Sequence, residues 1–139
     1  VVDFSQDNPH HTLTLGQHLL NVANNARVTH PGDFVLYTAG LLHDIGKEFT
    51  KNFHDNKGNV TDVAHYYGHA SASAYEAIYY VINSHGLEKE MIDVLAVIAY
   101  HMFPMNWNSE KTKEKYRKLW GDDLYNWVSI LHDIDVDGK

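Results

Sequence analysis

The stretch Gly40-Leu41-Leu42-His43-Asp44-Ile45-Gly46-Lys47 decides how this chain is read. It closes an apolar segment running from Asp33, an N-cap residue type, to about Gly46, with Val35, Leu36, Ala39, Leu42 and Ile45 at helical spacing. Residues at i±3, i±4 and i±7 share a helix face. His43 therefore falls on the stripe of Leu36 and Ala39 and turns inward, with Asp44 directly after it. Gly40 inside such a helix costs roughly 1 kcal/mol in propensity and permits a close helix contact. Lys47, one turn beyond His43, has two readings: it meets a phosphate or a developing negative charge, or it complements the dipole of an exposed helix end.

Working outward, apolar periodicity predicts a helix over about Leu15 to Val28, ended by Pro31-Gly32. A polar stretch from Lys47 to Gly68 follows the second helix, and Asn56-Lys57-Gly58-Asn59 is a turn signal that could close a short hairpin. A third helix is expected from His69 to His85, with Gly86 as its stop. The fourth, Glu88 to Met102, is apolar nearly all round at Val94-Leu95-Ala96-Val97-Ile98-Ala99, the composition of a buried central helix, and Pro104 breaks it. A charged segment from Ser109 to Leu119 precedes a last amphipathic helix from about Asp122 to Val136. The expected architecture is all-α, one domain over residues 1–139 with about five to seven helices.

Composition narrows the function. The 139 residues carry 11 Lys+Arg against 18 Asp+Glu, a formal charge of −7, which argues against a broad basic surface for nucleic acid. There is no cysteine, so disulfides, zinc ribbons and thiol catalysis are excluded. No apolar run is long enough for a membrane span and no signal-peptide pattern opens the chain, so a soluble cytoplasmic protein is expected. A start at Val1 reads as a trimmed chain or an excised domain. Histidine is abundant, with 11 residues and no tag-like tract, and imidazole is the commonest metal ligand and proton shuttle.

The histidines sort by helix face. His18 shares a stripe with Leu15 and Val22, His101 with Val94 and Val97, and Asp135 with Val128 and Leu131, while His69 opens the third helix. Taken singly, an inward histidine is an ordinary hydrogen-bonded core residue. Burying a carboxylate without a partner costs several kcal/mol, however, and inward His and Asp groups from separate helices offset one another by sharing a cation. His30, His54 and His65 read as surface or loop residues, and His85 as a helix cap. Trp107, Trp120 and Trp127 read as packing residues, and Lys111, Lys113, Lys115, Arg117 and Lys118 as a solvated face.

His18, then His43-Asp44, then His69, His101 and a late Asp, together with the Gly40–Lys47 string, resemble the HD-domain superfamily of metal-dependent phosphohydrolases over nearly the whole chain. Locally, Asn8-Pro9-His10-His11-Thr12, Ala64-His65-Tyr66-Tyr67-Gly68-His69 and Ile134-Asp135-Val136-Asp137-Gly138-Lys139 are similar to HD domains of tRNA nucleotidyltransferases and to phage-type HD proteins. The resemblance implies a helical HD bundle with His18, His43, Asp44 and a late Asp holding a first metal, and His69 and His101 serving a second. Asp135 is favoured over Asp133 as the late ligand, because its stripe is the more apolar. One or two divalent transition ions are implied, Mn, Fe, Co, Ni or Zn, since this many nitrogens suit Mg less well.

The expected function is hydrolysis of a nucleotide or another phosphate ester by a metal-activated water. Asp44 and Lys47 would be catalytic, and His10 and His11, ahead of the first helix, would contact the substrate. The partner is a small phosphorylated molecule, with no membrane involved. Two other classes compete: a di-iron oxygenase of HD type, marked by redox-active iron and dioxygen uptake, and an accessory HD module of a larger nucleic-acid-processing enzyme.

Overall fold

The computed structural model describes residues 3–9, 11–83 and 88–137. Seven α-helices are found among them, in the order α1 (Leu15–Thr29), α2 (Phe34–Leu42), α3 (Lys47–Thr50), α4 (His69–Ile82), α5 (Glu88–Tyr100), α6 (Glu110–Trp120) and α7 (Asp122–Asp137). A two-stranded antiparallel hairpin, β1 (Asn52–His54) and β2 (Val60–His65), lies between α3 and α4, and a 3-10 turn spans Phe103–Asn106. Among the described residues the fold is all-α apart from that hairpin.

Local chemistry starts each helix where it does. Thr14 accepts from Gln17 N while the Gln17 side chain accepts from Thr14 N, so two otherwise orphaned amides at the start of α1 are satisfied reciprocally. Asp33 accepts from Leu36 N at 3.0 Å and Ser109 from Thr112 N at 3.2 Å, capping α2 and α6. In the hairpin turn the Asp55 carboxylate accepts from Lys57 N and Asn59 N, both at 2.9 Å.

The core gathers around α5. Val94, Val97 and Ile98 are fully buried in one cluster with Leu36 and Ala39 of α2, Ala77 and Val81 of α4, and Val128 and Leu131 of α7. α1 packs on α2 and α7 and closes the other side. Gly40 permits this: a Cβ there would meet Val22 Cγ1 at 3.2 Å. A satellite aromatic cluster joins the 3-10 turn to α6 and α7, with Trp107 stacked on Tyr125 and Trp120 on Tyr100. Trp127 donates its Nε1–H to Asp33 Oδ2 at 3.1 Å, so all three tryptophans pack.

The ends of two expected helices are corrected. The second helix ends at Leu42, not near Gly46, and His43 to Gly46 form a tight turn with Ile45 N bonded to Leu42 O and Lys47 N to Asp44 O. The cause is close packing. A Cβ on Gly46 would stand 2.4 Å from Ser73 N, so the chain turns where it meets α4, and Gly46 N donates to Ser73 Oγ at 2.8 Å. Lys47 therefore opens α3 and is buried, which removes its reading as an exposed helix-end charge. The charged segment after Ser109 forms α6, within the five to seven helices expected. The fourth helix stops at Tyr100, short of Met102, because the Phe103-Pro104 turn begins there, and its outer face leaves Ile92 exposed. His85 and Gly86, expected to end the third helix, lie outside the described residues.

No helix among the described residues is long and apolar enough to cross a membrane.

Candidate metal centre

Five parts of the chain deliver the site. His18 comes from α1, His43 and Asp44 from the turn after α2, His69 from the start of α4, His101 from just beyond α5, and Asp135 from α7. Each of His18, His43, Asp44, His69 and His101 is buried, and Asp135 is nearly so. Putting His43-Asp44 in a turn rather than a helix lets two consecutive side chains reach one point.

Asp44 is the hub. Its Oδ2 lies 3.5 Å from His18 Nε2 and 3.4 Å from His43 Nε2, while its Oδ1 lies 3.1 Å from His69 Nε2 and 3.2 Å from His101 Nε2. Asp135 Oδ1 completes the first side, 2.7 Å from His18 Nε2 and 3.1 Å from His43 Nε2. Two groups result, His18–His43–Asp44–Asp135 and Asp44–His69–His101, and each could hold a metal ion, with ligand atoms all within 4.8 Å of one another.

The donor chemistry fits a cation. His43 donates its Nδ1–H to Gly40 O at 2.7 Å, His69 to Tyr66 O at 2.9 Å and His101 to Ile98 O at 2.7 Å. A carbonyl only accepts, so each neutral ring must present its Nε2 lone pair to the cluster. Those lone pairs face carboxylate oxygens and each other at about 3 Å, a repulsive arrangement unless protons or metal ions lie between them. Ligand atoms around one ion at about 2.0–2.2 Å stand about 3 Å apart, the spacing found here. A backbone carbonyl behind each imidazole is also the outer support that metal-ligating histidines use.

Electrostatics agree. Burial works against an imidazolium at His18, but hydrogen bonds to Asp135 and Asp44 outweigh it and lift its pKa to about 10. His43 is raised as well: burial opposes the charge, and Asp44 and Asp135 overcome it. Burial lowers His101 and keeps it neutral. Desolvation would raise the Asp44 carboxyl, yet His43, Lys47 and His101 hold it well below the usual carboxylate range. Asp135 is lowered too, with His43 and His18 outweighing its own burial. The proton that His18 holds near neutral pH balances part of the charge of the two carboxylates.

The remaining sequence candidates fall around this cluster. Lys47 Nζ is 3.2 Å from Asp44 Oδ2 and 2.8 Å from Gln6 Oε1, with the Tyr66 ring 5.2 Å below it. His11 packs its ring edgewise on His18, and its Nδ1 has no hydrogen-bond partner among the described residues. Burial and the Lys47 charge push His11 down to about 4, so it is neutral near pH 7. His10 lies outside the described residues. Asp133 is exposed, whereas its neighbour Asp135 reaches the cluster. A cavity of about 800 Å³ opens beside the site and is lined by Asp44, Lys47, His69, Asp135 and His11.

Sequence reasoning missed the wall of that cavity. His65, read as a surface or loop residue, lines it together with Tyr66 and Tyr67, and His132 lines it from α7. Gln6, 1% exposed, also escaped notice, since nothing in a short N-terminal segment marks a residue that will be buried. The segment is pinned across the hairpin by Ala64 N to Asp7 O at 2.9 Å and Asn8 Nδ2 to Ala64 O at 3.1 Å.

No curated protein and no solved structure matches the chain. The family described as HD domain matches residues 15–137, a span that takes in every member of the cluster. The chain belongs to the HD-domain family, a superfamily of metal-dependent hydrolases.

Proposed function

We propose that this protein is a phosphohydrolase that cleaves a nucleotide or another phosphate ester with one or two divalent transition-metal ions, Mn, Fe, Co, Ni or Zn. The observation that carries the reading is the position of Asp44, whose two oxygens each serve a different set of imidazoles on the wall of an open cavity. His18, His43, Asp44 and Asp135 are assigned to one ion, and His69 and His101, with Asp44 shared, to a second. Ions held there supply Lewis acidity and water made acidic enough to ionise near neutral pH.

The protein's own groups do the rest. Lys47 stands beside Asp44 and on the cavity wall, where it meets negative charge growing on a phosphoryl oxygen. Gln6 holds that ammonium in place through its Oε1. His11, neutral and on the cavity wall, is assigned to hydrogen-bond a phosphoryl oxygen of the substrate. His10 stands as the second substrate contact expected from the sequence.

The test pairs metal analysis of the purified protein with phosphate release from nucleotides and generic phosphate esters. Asp44→Asn and His43→Ala should lose bound metal and lower activity more than about 100-fold, with helical content retained. Full metal content in both variants would refute the assignment. Iron with dioxygen uptake and no phosphate release would replace it with the oxygenase reading, and a metal-loaded protein inert in both assays would favour the accessory-module reading.

A further inference from the structure

Beyond the metal cluster the cavity changes character. His65 and Tyr67 line it as a parallel pair, ring centroids 5.3 Å apart at an interplanar angle of 3°, with the Tyr67 hydroxyl 3.3 Å from His65 Nδ1. Phe103 lines it as well, and its ring is held from behind by Tyr100 at 5.2 Å and Trp120 at 5.5 Å. Met102 and Met105 complete this part of the lining. Tyr67 is 52% exposed and Met105 61%, so both leave apolar surface open inside a concavity. Flat rings already fixed in place, with thioethers that adapt to their edges, bind a planar group at little ordering cost.

Charge points the same way. Lys47 is the sole lysine or arginine among the described lining residues, and its ammonium is already engaged by Gln6 and Asp44. The arginines of the chain, Arg27 and Arg117, stand in α1 and α6 and do not line the cavity. One phosphate can be neutralised at the cluster. A second or third would extend along walls whose described residues offer histidine, aromatic and methionine side chains but no further fixed cation.

We infer that His65, Tyr67 and Phe103 form a subsite for a flat aromatic group carried on a single phosphate, so that the substrate is an aromatic or nucleoside phosphomonoester rather than a di- or triphosphate. This rests on the phosphohydrolase reading for its chemistry, but it is a statement about binding and is tested by binding. The Mn(II)-loaded full chain is titrated calorimetrically with benzylphosphonate and with ethylphosphonate, which share a headgroup and resist hydrolysis. The aromatic ligand should bind about ten-fold tighter, the scale of one stacking contact. Tyr67→Ser, at an exposed position, should remove most of that preference and leave ethylphosphonate binding unchanged. With Mn(II) in excess, the 5′-phosphonate analogue of adenosine monophosphate should bind more tightly than the methylene analogue of the diphosphate. Equal binding of the benzyl and ethyl ligands, tighter binding of the diphosphate analogue, or no binding by a protein that retains its metal would each overturn the subsite. Aromatic preference without turnover of any ester would leave the subsite standing and sink the hydrolase reading alone.

Discussion

His69 Nε2 and His101 Nε2 face each other at 3.3 Å while the opposite nitrogen of each ring is committed to a backbone carbonyl. Neither ring can turn its Nδ1–H inward without breaking that bond, so the Nε2 atoms are what the two rings present to each other beside Asp44 Oδ1. A cation resolves the contact. Where two ions bind, His69→Ala or His101→Ala should therefore remove only the second, with the ion at His18, His43 and Asp135 retained. Metal analysis after exhaustive dialysis reads this directly. Equal loss of both ions would place the pair in the primary site.

The end of α7 offers an internal control. Asp133 and Asp135 are two residues apart on one helix, yet Asp135 Oδ1 lies 2.7 Å from His18 Nε2 and Asp133 is exposed. Asp135→Asn should cost metal affinity by more than about ten-fold, because an amide oxygen carries no charge to balance the ion. Asp133→Asn should leave affinity within about two-fold. Competition with a fluorescent chelator separates the two, and a reversed order would reassign the late ligand.

Gly46 is where backbone packing sets site geometry. A Cβ there would stand 2.4 Å from Ser73 N and 2.7 Å from Ala72 C, and backbone atoms cannot swing aside as a side-chain tip would. Gly46→Ala should destabilise by at least about 1–3 kcal/mol, the usual cost of overpacking, and should also weaken metal binding by shifting Asp44. Chemical denaturation with and without metal measures both. An unchanged midpoint would mean that the turn and α4 separate freely.

The order of His18, His43-Asp44, His69, His101 and Asp135 was legible because each residue sits on or beside an apolar helical stripe, and helical spacing tells inward from outward. The family signature added what spacing cannot supply, namely that these faces point at one another. The turn at His43–Gly46 was not legible. Apolar residues continue through Ile45 at helical spacing, and the clash that ends α2 is with Ser73, 27 residues further on. Gln6 and the His65–Tyr67 wall were hidden for the same reason. The burial of Gln6 and the placement of that wall come from contacts between the N-terminal segment, the hairpin and α3, which no local pattern encodes.

The last prediction sets two pH dependences against each other. In the metal-free protein His18 has a folded-state pKa near 10 against an ordinary 6.5, after Asp135 and Asp44 overcome the opposing effect of burial. A group whose pKa is raised on folding stabilises fully below its unfolded value and loses that contribution as pH climbs through the folded one. In a chelating buffer the melting temperature should therefore fall as pH rises from about 6.5 to 9, and His18→Gln should flatten the slope. With Mn(II) the sign reverses. The ion needs neutral imidazoles, so binding expels the protons on His18 and His43, and affinity must rise with pH. The increment in melting temperature on adding metal should accordingly grow across the same window, and calorimetry in buffers of different ionisation enthalpy should detect released protons. A metal increment that shrinks as pH rises would show that His18 and His43 are not the nitrogens the ion displaces protons from.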